Sequence, residues 1–444
     1  MTAIPTSPGS APGTGAPPWT CPFCPLLCDN FSVDVGAADS PLTLAGGDCG
    51  RAQQALARFR ATPSSAQPQI NGQAVDINTA IGAAAALLAN SRQPLFGGLG
   101  ADVAGARALY RLACETGAIC DAAGGTALMH GLRALQDRGA FTTTLAEVRN
   151  RADLVVCMTG APTQRQPEFY RRCGVGEVRA DGSTLARHVV VFGDLAAGTV
   201  SALPTSAPSV TSEALHGQGD LFTTVSVLAA LVAGRAVRNP PAQLLALAAR
   251  LLAARYAVIV WEGAALPAQG ALVVEAINTI VGTLNQSTRA ATLPLGGGDG
   301  AGTVNQVFAW LGGLPLRSRL GLAGLEHEPL RFDAARLLAD GAVDALLWVA
   351  SFGTEPAPPA ANLPRIVVAH PDTALPATQC ETVFIPVATP GIGSPGQLFR
   401  TDGVVLMPLS AMVPAQLPTV AEVVSRLIRA VQSLRQQQQQ GTPA

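Results

Sequence analysis

Cys21-Pro22-Phe23-Cys24-Pro25-Leu26-Leu27-Cys28 stands near the start of the chain, and Cys49 follows in Gly47-Asp48-Cys49-Gly50-Arg51. Two residues separate the first pair of cysteines, three the next, and twenty the last. Three thiols packed so closely, with a fourth from a later turn, form the ligand count of a [4Fe–4S] cube or a structural zinc. Two disulfides would need an oxidising compartment, and a long chain with no export signal argues for a reducing one. The quartet therefore reads as a metal-type site: Cys21, Cys24, Cys28 and Cys49.

Outward from this segment the chain divides by composition. Residues 1–20 are rich in Pro, Gly, Ser and Ala and read as a disordered tail, not a signal peptide. Residues 21–68 form the cysteine-rich, iron–sulfur-type lobe. Beyond it, short Val- and Ile-rich runs recur at Leu154–Met158, His188–Phe192, Ala257–Trp261, Ala345–Val349, Ile366–Ala369 and Val383–Val387. Helical patterns lie between them, so the fold class is α/β, with open, mostly parallel layers. The reading groups 69–200 with 320–410 as one discontinuous α/β domain and gives 201–319 to a second. Residues 411–444 make a C-terminal helix, capped by Thr419 ahead of Glu422, and a polar tail from Gln436.

Pro94-Leu95-Phe96 reads as a strand running into a Gly97-Gly98-Leu99-Gly100 turn, followed by the helix Val103–Thr116 and a strand at Ala118–Cys120. This is a βαβ unit whose turn could face an anionic group, making Gly97, Gly98 and Gly100 candidate cofactor contacts. Such a turn alone is weak, because tight strand-to-helix turns use glycine with or without phosphate.

Composition excludes several chemistries. All 29 basic residues are arginine, so there is no Walker lysine, Schiff base or lysine general base. A net charge of −1 gives no reason to expect nucleic acid or an anionic membrane as partner. No apolar run has the length of a membrane span, and a cytoplasmic protein is expected. With 13% charged residues, little is left to cover a surface, which implies large contacts with other subunits.

Four passages together resemble the molybdopterin oxidoreductases, and within them the B subunit of formylmethanofuran dehydrogenase. They are the cysteine segment, Met129-His130-Gly131, Pro294 to Val307, and Gln397-Leu398-Phe399-Arg400-Thr401-Asp402-Gly403. The resemblance implies a formate dehydrogenase-like α/β chain, a [4Fe–4S] lobe, and a pterin cleft touched by Arg400 and Asp402. It also implies a tungsten or molybdenum ligand immediately before His130-Gly131, and an active-site arginine and histidine in the Pro294 segment.

This chain departs from the pattern at those positions. Met129 stands where the family has cysteine or selenocysteine, and a thioether cannot serve as an anionic ligand for a high-valent metal. Gly296 and Gly298 correspond to the arginine and histidine. A metal–pterin and redox catalysis are therefore not expected, and Met129, His130, Gly296 and Gly298 should line a vestigial pocket. The branch that fits is similar to the formyltransferase/hydrolase complex of methylotrophic bacteria. That branch implies a scaffold role beside the hydrolase A and C and formyltransferase D subunits, with methylofuran carried by the complex. The cysteine quartet then either keeps a cluster or persists as a relic. An active tungsto- or molybdopterin dehydrogenase subunit is the alternative.

Other residues read more plainly. Arg51 follows the last cysteine where the resembled family has a basic residue between cluster and pterin, but it reads as a surface arginine, as does the pair Arg171-Arg172, although the pair could meet the polyanionic tail of methylofuran. His327 reads as a solvated turn, and Cys114, Cys157, Cys173 and Cys380 as small hydrophobes.

Overall fold

The segment from Trp19 to Leu56 folds around its own aromatic and cysteine side chains. In the computed structural model, which describes residues 18–37, 39–62, 64–179, 182–192, 209–215, 219–414 and 417–440, it begins with β1 (Pro18–Trp19), β2 (Phe31–Asp34) and β3 (Thr43–Gly46). These pair antiparallel in that order. The expected tail of residues 1–20 ends sooner, since Pro18–Trp19 is a strand and only 1–17 lie outside the described residues. The cause is Trp19, whose indole is fully buried and donates Nε1–H to the Gly391 carbonyl at 2.7 Å. Helix α1 (Gly50–Leu56) follows Cys49.

After the hairpin β4 (Gln69–Ile70) and β5 (Gln73–Ala74) comes α2 (Ile77–Asn90), opened by the Asp76 carboxylate, which accepts from the Asn78 and Thr79 amides. Strand β6 (Pro94–Gly100), helix α3 (Val103–Thr116) and β7 (Ile119–Cys120) form the expected parallel βαβ unit. Its glycines, however, are strand, not turn. A Cβ on Gly97 would sit 2.9 Å from the Trp348 ring, and one on Gly98, at φ +73°, would sit 2.6 Å from the Val349 carbonyl. The run is glycine because a tryptophan of the neighbouring strand lies across it.

Helices α4 (Gly125–Arg138) and α5 (Leu145–Arg151) lead into a second layer: β8 (Leu154–Cys157), α6 (Phe169–Arg172), β9 (Arg187–Phe192), β10 (Val210–Leu215), α7 (Leu221–Val232), α8 (Ala242–Ala253), β11 (Ala257–Glu262), α9 (Gly270–Leu284) and β12 (Ala290–Leu295). Its five strands are all parallel, in the order β10-β9-β8-β11-β12. Continuous Val and Ile runs such as Val189-Val190-Val191 are buried on both faces, as parallel strands require. Helices α7, α8 and α9 cover one face, and the cysteine lobe with α5 and α6 covers the other.

The chain then returns to the first layer through α10 (Ala301–Gly312), β13 (Ser318–Gly321), β14 (Gly324–His327), α11 (Ala334–Ala339), β15 (Ala345–Ala350), β16 (Arg365–Ala369) and β17 (Thr382–Pro386). The nine-stranded order is β14-β13-β7-β6-β15-β16-β17-β4-β5, with a parallel centre and antiparallel edges. The grouping expected from sequence shifts accordingly. β8 and β9 stand in the second sheet, not with 69–200, because Leu154–Cys157 pairs with β11 and β9. Helix α10 leaves the proposed 201–319 unit to pack on α3 and β6.

A hairpin of β18 (Gly396–Phe399) and β19 (Leu406–Leu409) precedes α12 (Val420–Gln440). Thr419 and Glu422 form the expected capping box, with the Glu422 amide donating to Thr419 Oγ1 at 3.2 Å and the Thr419 amide to Glu422 Oε2 at 2.7 Å. The helix runs through the glutamines read as a tail; they are exposed but helical. Nor is α12 a separate appendage, since Val423, Val424, Leu427 and Val431 close the core over α2 and α3. Among the described residues no helix is long and apolar enough to cross a membrane.

Candidate functional site

A cleft of about 520 Å³ lies between the two layers, beyond the carboxyl ends of β11 and β12. Parallel sheets place ligands there, because strand ends and following loops leave a crevice. The loop Gly296-Gly297-Gly298-Asp299 forms one wall, Leu128 and Gly131 of α4 another, and Trp261 and Glu262 a third. Gly296 (φ +143°), Gly297 (φ +74°), Asp299 (φ +51°) and Gly300 (φ +81°) all take positive φ. That backbone suits glycine and resists a long side chain. Gly296, where the resemblance puts an arginine, thus matches the loop's own conformation, while Gly298, where it puts a histidine, is not among the positive-φ residues.

Gly296 and Gly298 line this cleft, and Met129 and His130 do not. Both are buried on α4, with the His130 ring against Gly270 of α9, where an added Cβ would sit 2.7 Å away. A helix turns about 100° per residue, so Leu128 and Gly131 face the cleft while the two between them turn away from it, His130 toward α9 of the second layer. Burial, helped by Arg133, lowers the His130 pKa and favours the neutral ring.

Arg400 lines the cleft and chelates Asp402, with Nη2 to Oδ2 at 2.6 Å. The Asp402 carboxylate is fully buried and also accepts from the Leu145 amide at 3.1 Å. Asp402 therefore ties the hairpin to α5 and lies away from the cleft surface. Thr401 adds two ties, its amide to the Pro25 carbonyl at 2.8 Å and its hydroxyl to the Pro294 carbonyl at 3.2 Å. Gly98 and Gly100 border a smaller neighbouring cavity of about 330 Å³ with Ser351 and Asp299, whereas Gly97 borders neither.

Arg51 is no ordinary surface arginine. Its Nε donates to the Phe23 carbonyl at 2.7 Å and Nη1 to the Arg165 carbonyl at 3.3 Å, and it lines both the cleft and the cysteine pocket. Arg165 pairs with Glu262 at 3.3 Å. Burial raises the pKa of Glu262 and of Asp299, against the pull of Arg165 and Arg51 respectively. Sequence reasoning missed Arg165, Glu262 and Asp299, because charges so far apart in the chain carry no local signature.

The four cysteines are all buried and line one void of about 10 Å³. Burial raises the thiols of Cys21, Cys24 and Cys28, to about 11 at Cys24 and about 12 at Cys28, with Arg51 opposing at Cys24 and Arg172 and Arg171 at Cys28. Backbone amides of Phe23, Leu26 and Leu27 favour the thiolate forms of Cys21 and Cys24. Among the described residues, no group of three or more His, Cys, Asp or Glu is drawn close enough to hold a metal ion.

The remaining residues fall outside the cleft. Arg171 and Arg172 are not a solvated pair but bind the lobe, Arg171 to Asn30 and Arg172 to Asp29, each at 2.5 Å, while Arg171 also pairs with its neighbour Glu168. His327 is not a turn but part of β14, with Nδ1 3.1 Å from the Arg317 carbonyl. Cys157 and Cys173 are buried as small hydrophobes, while Cys114 and Cys380 are partly exposed.

A scan against models of protein families finds no match. Among curated proteins, the B subunit of the formyltransferase/hydrolase complex Fhc of Methylorubrum extorquens is 32% identical over 364 residues, covering 81% of this chain and 95% of the relative. The B subunit of the tungsten-containing formylmethanofuran dehydrogenase 2 of Methanocaldococcus jannaschii is 26% identical over 445 residues, covering 93% of this chain and 98% of the relative. Among solved structures, the formyltransferase/hydrolase complex (FhcABCD) of Methylorubrum extorquens with methylofuran superposes with a TM-score of 0.71 at 30% identity, over 83% of this chain and 99% of that one. The chain belongs to the family of B subunits found in formyltransferase/hydrolase complexes, to which the formylmethanofuran dehydrogenase B subunits are related.

Proposed function

We propose that this chain is the B-type subunit of a formyltransferase/hydrolase complex. It would act in the cytoplasm as a redox-silent scaffold in the oxidation of formaldehyde to formate through methylofuran and tetrahydromethanopterin. Similarity along nearly the whole Methylorubrum subunit carries this reading. Its partners are then the hydrolase A and C and formyltransferase D subunits, and methylofuran is held by the complex.

The cleft supports the redox-silent part. Met129, at the position of the family's metal ligand, is buried outside the cleft, and Gly296 and Gly298 supply no charge. Arg400 is held by Asp402, Arg165 by Glu262, and Asp299 adds a carboxylate. These residues do not fit a metal bound to a polyanionic pterin dinucleotide.

For the cysteine quartet, the donor set fits a [4Fe–4S] cluster in kind: four buried thiols on one void, amides favouring thiolate, and arginines nearby. The spacing is not yet that of a ligand set. We propose that Cys21, Cys24, Cys28 and Cys49 hold a cluster whose bound contribution is folding energy for the lobe.

The test is purification of the tagged chain from its source. Recovery with three partner subunits, and formyl-transfer activity in the complex that survives Met129→Ala, supports the reading. Recovery of the chain alone with formate-oxidising activity would overturn it.

A further inference from the structure

Another cavity, of about 400 Å³, lies apart from the cleft, where the cysteine lobe leans on the carboxyl ends of β16 and β17. His370, the residue after β16, lines it and is 4% exposed. Its Nδ1 accepts the Asp372 amide at 3.2 Å, so the neutral ring carries its proton on Nε2. Among the described residues nothing bonds that nitrogen, and the ring is held edge-on against Phe59 at 5.1 Å. Thr389, in the loop that follows β17, also lines the cavity, and its buried hydroxyl has no partner among the described residues.

Two cations border the same space. Arg58 gives Nη1 to Thr354 Oγ1 at 3.1 Å, and Arg60 gives Nη1 to the Asp39 carbonyl at 3.4 Å. A guanidinium has five donors, so most remain for a ligand. Two exposed carboxylates, Asp39 and Asp372, also line the cavity, and Asp39 Oδ1 lies 3.4 Å from the Thr62 hydroxyl. The Thr389 hydroxyl is sealed from this space, but a ring N–H that meets the cavity without a protein partner, on a side chain otherwise buried, offers itself to an acceptor from outside.

We infer that this cavity binds a small metabolite through an oxyanion, phosphate or carboxylate, received by His370 Nε2–H and faced by Arg58. The chemistry is shared by the two anions, since both offer paired oxygens to a guanidinium. The site is separate from the cleft and does not rest on its reading.

The experiment is calorimetric titration of the chain in its purified complex with inorganic phosphate and, separately, acetate, at constant ionic strength. One saturable site per chain with a dissociation constant below about 1 mM is expected for one of them. The anion that binds tells a phosphoryl ligand from a carboxylate. Arg58→Met and His370→Asn, whose Oδ1 can still accept the Asp372 amide, should each weaken that binding at least about tenfold, with unchanged melting midpoints. Absence of saturable binding by both anions, or wild-type binding in both folded variants, overturns the inference.

Discussion

Replacing Gly98 by alanine tests whether β6 is glycine-rich for packing. The new methyl would lie 2.6 Å from the Val349 carbonyl and 2.9 Å from the Trp348 ring, on a backbone at φ +73°. Gly72 provides the control, since it sits at φ +80° with nothing within 4 Å of a built Cβ. Both alanines carry the left-handed backbone cost of about 1–2 kcal/mol. Only Gly98→Ala adds overpacking, about 1–3 kcal/mol, because the contacts are a backbone oxygen and a ring fixed between strands. The predicted difference is therefore about 2 kcal/mol, near a thirtyfold change in the folded-to-unfolded ratio. Urea unfolding of the two variants, compared at a common slope, reads it directly. Equal midpoints would refute the argument and reopen the glycine run as a ligand-facing turn.

Other perturbations probe the ties around the site. Trp19→Ala should cost about 3–5 kcal/mol in the same assay, because the indole is fully buried and anchors the lobe to Gly391. Asp402→Ala leaves Arg400 unpaired and the Leu145 amide unmet, and a loss of about 3–5 kcal/mol is expected. Asp121, buried against Arg317 at 3.2 Å, has its pKa raised by burial to about 6. Its folded value lies above the unfolded one, so its contribution is present below about pH 4 and lost as the pH rises through about 6. Unfolding followed across that window should show the decline, and Asp121→Asn should flatten it. Anaerobically purified protein should carry about four irons per chain, and Cys24→Ser should remove them.

The βαβ unit and the buried valine strands were legible because period and composition are local. Val103–Thr116 likewise stands where its apolar pattern puts it. The partition of strands between sheets was not, since β8 pairs with β11 across about a hundred residues and no local pattern records that. The same limit applied to the site. Gly296 and Gly298 were found through motif order, but Met129 and His130 turn out of the cleft by helix phase, which the motif alone does not state. Arg51 looked like surface until Phe23 and Arg165 were seen to hold it. Trp19 sat in a low-complexity stretch, and only its bond to a residue 372 positions away shows why the strand forms there.

The most direct test of the redox-silent scaffold is tungsten and molybdenum content per chain, measured together with formate-dependent dye reduction on the anaerobically purified complex. The account predicts neither metal in stoichiometric amount and no dye reduction, while formyl transfer proceeds. One tungsten or molybdenum per chain with formate-dependent reduction would contradict it and make the chain part of a working dehydrogenase.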